Sequence, residues 1–371
     1  MITVSLCMIV KNEEETLDKC LESVKNIVDE IIIIDTGSTD KTKEIASRYT
    51  DKVYDFVWIN DFAAARNFAF SKATKDYQLW LDADDIIIEK DQIAFLELKK
   101  TLSPEVDMVL MKYNYVVDEN NNPTYSFHRE RLVKRANNYR WNDPVHEYIE
   151  YGGNYLMSEI AITHKKVDSF SDRNLKIYES ELEKNIPFSP RSLYYYAREL
   201  RDHSRYEDAV LYFKKFLTTK KGSVGDSINA CLEIGKIYRK LNDTDNALKY
   251  LFQTFCFDIP KAEACCEIAA VYKDNGDYTK AIYWYELILT LNISKNDTSI
   301  MITDCWNFVP AIELAVCYYN INDVEKAIAY NELAAKYKAD HESVVHNRAY
   351  FNNILKENKD FLFTDYKHKI V

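Results

Sequence analysis

Three aspartates, Asp82, Asp84 and Asp85, follow directly on the apolar run Tyr77-Gln78-Leu79-Trp80-Leu81. Carboxylates this close repel one another unless a cation lies between them. Hard oxygen ligands suit Mg2+ or Mn2+, and either ion would grip a diphosphate. The competing account is a strand end followed by a solvated acidic turn, capping a helix that begins near Asp91. Three other apolar runs also stop at polar residues suited to a nucleotide. Asn12 and Glu13 follow the first. Asp35 follows the second, where a carboxylate can accept hydrogen bonds from ribose hydroxyls or a base. Arg66 and Asn67 follow the third, and Arg66 can reach phosphate or a sugar ring.

These residues need elements to position them. Residues 2–10 read as a buried strand, followed by a helix with apolar Leu17, Leu21 and Val24. Ile31 to Ile34 is a second strand, and Thr36-Gly37-Ser38-Thr39-Asp40 is a turn with a helix N-cap. A helix over 43–49, a strand over 53–58 and a helix over 63–73 lead to the fourth strand, 77–81. Such alternation predicts a parallel, doubly wound α/β sheet, with ligands beyond the carboxyl ends of its strands. Neither GxGxxG nor GxxxxGK[ST] occurs. Beyond Asp91, the pattern predicts a helix to Leu102 and a strand over 107–117, antiparallel at the sheet edge. A hairpin or loop over 118–123 and a strand over 160–164 follow. The basic run Arg129 to Arg135 is either a solvated strand or places Arg131, with Arg129, near a diphosphate.

Four stretches carry a resemblance. They are Leu6 to Glu14, Asp35 to Asp40, Asn60 to Asn67 and Leu81 to Asp85. In order and spacing they resemble the motifs of family-2 glycosyltransferases of the GT-A fold, over about residues 2–165. The resemblance implies that Asp35 contacts the uracil and ribose end of a UDP-sugar, and that Asp82 faces ribose or the donor sugar. It implies Asp84 as a ligand of Mg2+ or Mn2+, Arg66 near the sugar and pyrophosphate, and His164 as a third metal ligand beside Asp84. Asn12, Glu13 and Arg131 complete the implied donor site. Trp141 to Glu147 resembles the acceptor-side segment, so Glu147 or His146 is the implied base, with Asp143 a weaker third. Inverting transfer requires such a group to take the acceptor's proton.

From about residue 171 strand signals give way to helical periodicity. Ala209, Ala247, Ala281 and Ala327 sit in similar helices, each preceded at fixed offsets by a small residue (Ala197, Gly235, Ala269, Ala315) and a turn residue (Ser204, Asn242, Gly276, Asn322). Small residues let antiparallel helices approach closely, and glycine or asparagine tolerates the left-handed turn between them. This is the tetratricopeptide pattern, with four helix pairs and insertions near 220–223 and 294–303. The expected domains are therefore 1–170, a GT-A nucleotide-sugar domain, and 171–371, a helical repeat domain ending in a capping helix and tail. The helix at 173–185 is expected to join them. Repeat arrays present surfaces to peptides or proteins. Bracing the first domain or forming a homodimer are the alternative uses.

The fusion also resembles sublancin-type peptide S-glycosyltransferases, which modify bacteriocin peptides. That resemblance implies a peptide or protein acceptor (Cys, Ser or Thr) held by the repeats, with UDP-glucose or UDP-N-acetylglucosamine as donor. Asp85, directly after the motif, departs from that pattern. A non-enzymatic adaptor and a polysaccharide transferase are the competing functions. A net charge of −11 argues against general nucleic-acid binding. The eight cysteines lie in apolar patterns without CxxC and read as small buried residues of a reducing, cytoplasmic setting. No apolar run is long enough for a membrane span.

Overall fold

The computed structural model describes residues 1–117, 123–165, 171–291 and 302–367. Residues 118–122 of the expected loop at 118–123, most of the expected insertion at 294–303 and residues 368–371 lie outside the described residues. Two compact units divide the chain, Met1–Ser192 and Leu193–Val371.

In the first unit β1 (Val4–Val10), β2 (Glu30–Asp35), β3 (Val53–Asp55) and β4 (Tyr77–Trp80) alternate with α1 (Leu17–Val24), α2 (Thr42–Ser47) and α3 (Phe62–Lys72). β1 runs parallel to β2 and β4 on either side. β3 is shorter than the expected 53–58. It is an edge strand, and the chain leaves the sheet after the Phe56 amide bonds the Asp35 carbonyl at 2.8 Å. Beyond β4 come β5 (Asp85–Ile86), α4 (Glu89–Thr101), β6 (Met108–Val117), β7 (Pro123–Lys134), β8 (Trp141–Asn142), β9 (Tyr148–Ile149), β10 (Tyr155–His164) and α5 (Arg173–Glu183).

The main sheet has the order β3-β2-β1-β4-β7-β6-β10-β5. β6 is therefore not the antiparallel edge strand that its sequence suggests. β7 folds back from it and enters the sheet between β4 and β6. β6 consequently runs with the central strands and with β10, and only β7 and the short β5 run against them. The reason lies in β7: Leu132 packs into the core on one face and Val133 into the core on the other. A strand apolar on both faces belongs inside a sheet. Successive residues of β1 likewise split between the layers. Leu6 and Met8 join Leu17, Leu21 and Phe95, while Cys7 joins Ala69, Phe70 and Trp141.

The second unit is helical. The pairs are α6 (Pro190–Asp202) with α7 (Tyr206–Thr219), α8 (Val224–Lys240) with α9 (Thr244–Gln253), and α10 (Ala262–Asp274) with α11 (Tyr278–Thr290). The short α12 (Thr303–Trp306) precedes α13 (Phe308–Asn320), α14 (Val324–Tyr337) and the closing α15 (Glu342–Lys367). Ser204, Asn242, Gly276 and Asn322 all adopt positive φ, at 60°, 58°, 76° and 63°. Gly235 lets α8 and α9 approach closely: a Cβ there would lie 2.6 Å from Leu251 Cδ2. Six cysteines are buried as expected, but Cys305 is only partly so and Cys256 is exposed. Among the described residues, no helix is long and apolar enough to cross a membrane.

Candidate active site

The carboxyl ends of β1, β2 and β4 open on a cavity of about 360 Å3. Seven of the residues singled out in the sequence line it: Glu13, Arg66, Asp82, Asp84, His146, Glu147 and His164. Arg66 is placed by α3, whose N-cap Asp61 accepts a hydrogen bond from the Ala64 amide at 2.8 Å. Its Nε donates to Glu147 Oε1 at 2.6 Å and its Nη2 to Asp82 Oδ1 at 2.7 Å. One guanidinium thus clamps two carboxylates on segments far apart in the chain. The indoles of Trp80 and Trp141 lie 5.0 and 4.8 Å from it. Burial disfavours the charged form of Asp82, but Arg66, helped by Arg131, overrides it and holds the carboxyl at about 2.

Asn12, Asp35 and Arg131 do not line the cavity. Asn12 ties the loops after β1 and β2 together: its amide donates to Ser38 Oγ at 3.0 Å, and its Oδ1 accepts from the Thr39 amide at 2.9 Å. Asp35 Oδ1 accepts from the amides of Gly37 and Ser38, both at 2.9 Å, while its buried Oδ2 has no hydrogen-bond partner among the described residues. Arg131 is fully buried, so the solvated-strand reading fails for it. Its Nη1 donates to Asp85 Oδ2 at 3.0 Å.

The strand-to-strand turn Asp82–Asp85 is closed by the Asp85 amide on the Asp82 carbonyl at 3.0 Å and the Asp82 amide on Asp85 Oδ2 at 3.1 Å. β5 then pairs with β10 so that Asp85 stands opposite His164. His164 Nδ1 lies 3.3 Å from Asp84 Oδ1 and 3.2 Å from Asp85 Oδ1, and its ring stacks on Tyr115 at 5.5 Å. Burial opposes imidazolium formation, yet the two aspartates raise the histidine to about 9. Ligand atoms of Asp84, Asp85 and His164 all fall within 4.8 Å of one another. The exposed Asp84 carboxylate and the His164 imidazole at that spacing suit a divalent ion of the Mg2+ or Mn2+ class, with the buried Asp85 beside them.

The stretch joining β8 to β9 carries two non-glycine residues at positive φ, Asp143 at 64° and His146 at 54°. Such strain persists only where surrounding contacts enforce it. Here Asn67 grips Trp141 reciprocally, Nδ2 to its carbonyl and Oδ1 from its amide, both at 3.0 Å. The Pro144 carbonyl accepts from the Phe62 amide at 2.8 Å, and the His146 carbonyl from Arg191 Nε at 3.2 Å. Tyr178 of α5 donates to the Val145 carbonyl at 3.4 Å. Among the lining residues to which sequence reasoning gave no site role are Trp58, Phe62, Arg173 and Asn174. Trp58 and Phe62 meet edge to face at 4.7 Å, and Arg173 lies 4.7 Å over Phe62. Phe56-Val57-Trp58-Ile59 after Asp55 is an unbroken apolar run, so no local signal in the sequence marked Trp58 as off the sheet.

Residues 5–158 match the model of glycosyl transferase family 2. The chain therefore carries a family-2 domain, followed by tetratricopeptide repeats that match over 228–251 and 262–292. A repeat-containing protein of Synechococcus elongatus is 40% identical over 152 residues, covering 40% of this chain and 36% of that protein. The SPbeta prophage-derived glycosyltransferase SunS of Bacillus subtilis is 28% identical over 234 residues, covering 59% of this chain and 54% of SunS. An uncharacterized glycosyltransferase of Rickettsia felis is 34% identical over 114 residues, covering 31% and 36%. The matched stretches span between a third and just over half of these relatives' own lengths.

Proposed function

We propose that the first unit transfers a sugar, with inversion, from a UDP-sugar to a cysteine, serine or threonine of a peptide or protein, and that the repeats recognise that acceptor. One observation carries the reading: a single cavity over the parallel strand ends gathers Glu13, Arg66, Asp82, Asp84, Glu147, His146 and His164. Asp35 does not line the cavity, but it directly precedes Thr36, which does, and is the residue assigned to a nucleotide's base or ribose. Its buried, unpartnered Oδ2 is an acceptor awaiting an N–H or O–H donor, such as a uracil imide or ribose hydroxyl offers. UDP-glucose and UDP-N-acetylglucosamine are the donors to test first.

A divalent ion held by Asp84 and His164 would supply positive charge for the departing diphosphate. The chain's own residues do the rest. Arg66 fixes Glu147 through Oε1. Glu147 Oε2 takes the acceptor's proton as its sulfur or oxygen attacks the anomeric carbon and the bond to the diphosphate breaks. His146, whose ring centroid lies 6.5 Å from that of Tyr178, is the second candidate base. Trp58 and Phe62 offer an apolar wall for a sugar face or base.

The test is UDP release and peptide modification with each donor, with and without Mn2+. Asp84→Ala is expected to lower both by about 10³-fold or more, since a metal contributes several kcal/mol of charge stabilisation. Full turnover in EDTA would overturn the metal assignment.

A further inference from the structure

Asp85 and Arg131 are the most deeply buried charged groups near the site, and the proposed chemistry uses neither. Both side chains have no solvent exposure. A buried charge is costly unless paired and hydrogen-bonded. Arg131 is a poor bargain on its own account. Among the described residues only Nη1 finds hydrogen-bond partners, Asp85 Oδ2 and the Trp80 carbonyl at 3.3 Å, while Nε and Nη2 are buried without any. Its guanidinium is held between rings, 3.7 Å from that of Trp80 and 4.3 Å from that of Tyr113. What this placement achieves is neutralisation of Asp85.

Asp85 in turn has both oxygens occupied. Oδ2 accepts from Arg131 and from the Asp82 amide. Oδ1 accepts from Tyr113 Oη at 3.0 Å and faces His164 Nδ1 at 3.2 Å. Asp84 is almost equally near Nδ1, but exposure separates the two carboxylates: Asp84 is 25% exposed and lines the cavity, whereas Asp85 is 0% exposed and does not. A carboxylate whose charge is spent on a buried arginine and whose lone pairs are filled is poorly suited to bind an ion. It is well suited to orient a ligand.

We infer that Asp85 is a positioning residue: it accepts the Nδ1 proton of His164, leaves Nε2 for the divalent ion, and is itself held by Arg131 and Tyr113. The inference rests on the reading of Asp84 and His164 as the ion's ligands. It also gives Arg131 a place at the site without contact to the diphosphate.

The test measures Mn2+ binding by electron paramagnetic resonance on the full chain, comparing the unaltered protein with Asp85→Asn and Asp84→Ala. Asp85→Asn is expected to weaken binding roughly 10–100-fold while keeping the nitrogen coupling of a bound imidazole, as loss of an outer partner does. Asp84→Ala should abolish binding. If Asp85→Asn abolishes it too, Asp85 is a ligand and the inference falls. If affinity is essentially unchanged, Asp85 only supports the fold and the inference falls equally. Absence of binding by the unaltered chain defeats the metal reading itself, and the positioning role with it. Should Asp85→Asn not fold, nitrogen NMR of 15N-histidine-labelled, Mg2+-loaded protein decides: His164 must carry its proton on Nδ1, and a bare Nδ1 refutes the assignment.

Discussion

Arg66 shows how much one side chain organises. It bridges Asp82, at the end of the β4 segment, to Glu147, on the strained stretch before β9. The planar fork of a guanidinium can hold two carboxylates at fixed angles, and a lysine ammonium cannot. Arg66→Lys is therefore expected to keep the charge and the fold but to lower kcat/KM for sugar transfer by about 10²-fold, the scale of a small misplacement of a reacting group. Turnover at the unaltered rate, with far-UV circular dichroism intact, would show that the clamp is not what aligns Glu147. The participants at this scale were largely visible in the sequence. Seven of the ten chosen residues line one cavity because each follows a parallel strand, ends β10, or lies on the stretch between β8 and β9. The role of Asp85 was not visible. Its relation to His164 depends on strand register across 79 residues, and to Arg131 across 46, which no local pattern encodes.

Among the elements, the amino ends of the strands are held together by Glu30, the first residue of β2. Its carboxylate accepts from Lys52 Nζ, Ser5 Oγ, the Thr74 amide at 2.9 Å and Thr74 Oγ1 at 2.8 Å. It thereby ties β1, the approach to β3 and the approach to β4. Burial opposes its ionisation, but Lys52 and the hydroxyl and amide donors outweigh it and hold the carboxyl at about 2, below its ordinary 4.5. A depressed carboxylate stabilises the fold fully above its unfolded-state value, and that contribution fades as pH falls towards the folded value. Glu30→Gln is thus expected to lose roughly 2–3 kcal/mol of unfolding free energy at neutral pH, with the gap to the parent narrowing between about pH 4.5 and 2. Denaturant titrations at pH 7 and pH 3 check this, and an equal gap at both would refute it. The helix pairs were the most legible elements. Their turns need left-handed backbone, and all four turn residues named from the sequence adopt it. β6 was misread because its neighbour was not local: insertion of β7 beside β4 is a tertiary choice, favoured by Leu132 and Val133 facing opposite cores.

For the whole molecule, the question is what two compact units do in one chain. The family-2 match ends at residue 158, and the repeats match from residue 228. The chain between them belongs to the first unit as far as Ser192. α5 is part of it, since Tyr178 and Arg191 hold the stretch that bears His146 and Glu147. A boundary at 170 would remove those supports, so a chain of residues 1–192 is the fragment to make. Every proposed donor contact lies within it, from Glu13 to His164. Its affinity for UDP with Mn2+ should stay within about threefold of the full chain, under 1 kcal/mol. If the repeats recognise the acceptor, the same fragment should still hydrolyse UDP-sugar slowly but lose peptide modification, and adding residues 193–371 in trans should restore little, because linkage supplies effective concentration. Retention of peptide modification at the parental rate would assign acceptor choice to the first unit alone. Loss of UDP binding would mean that the donor site needs the repeats for its own integrity.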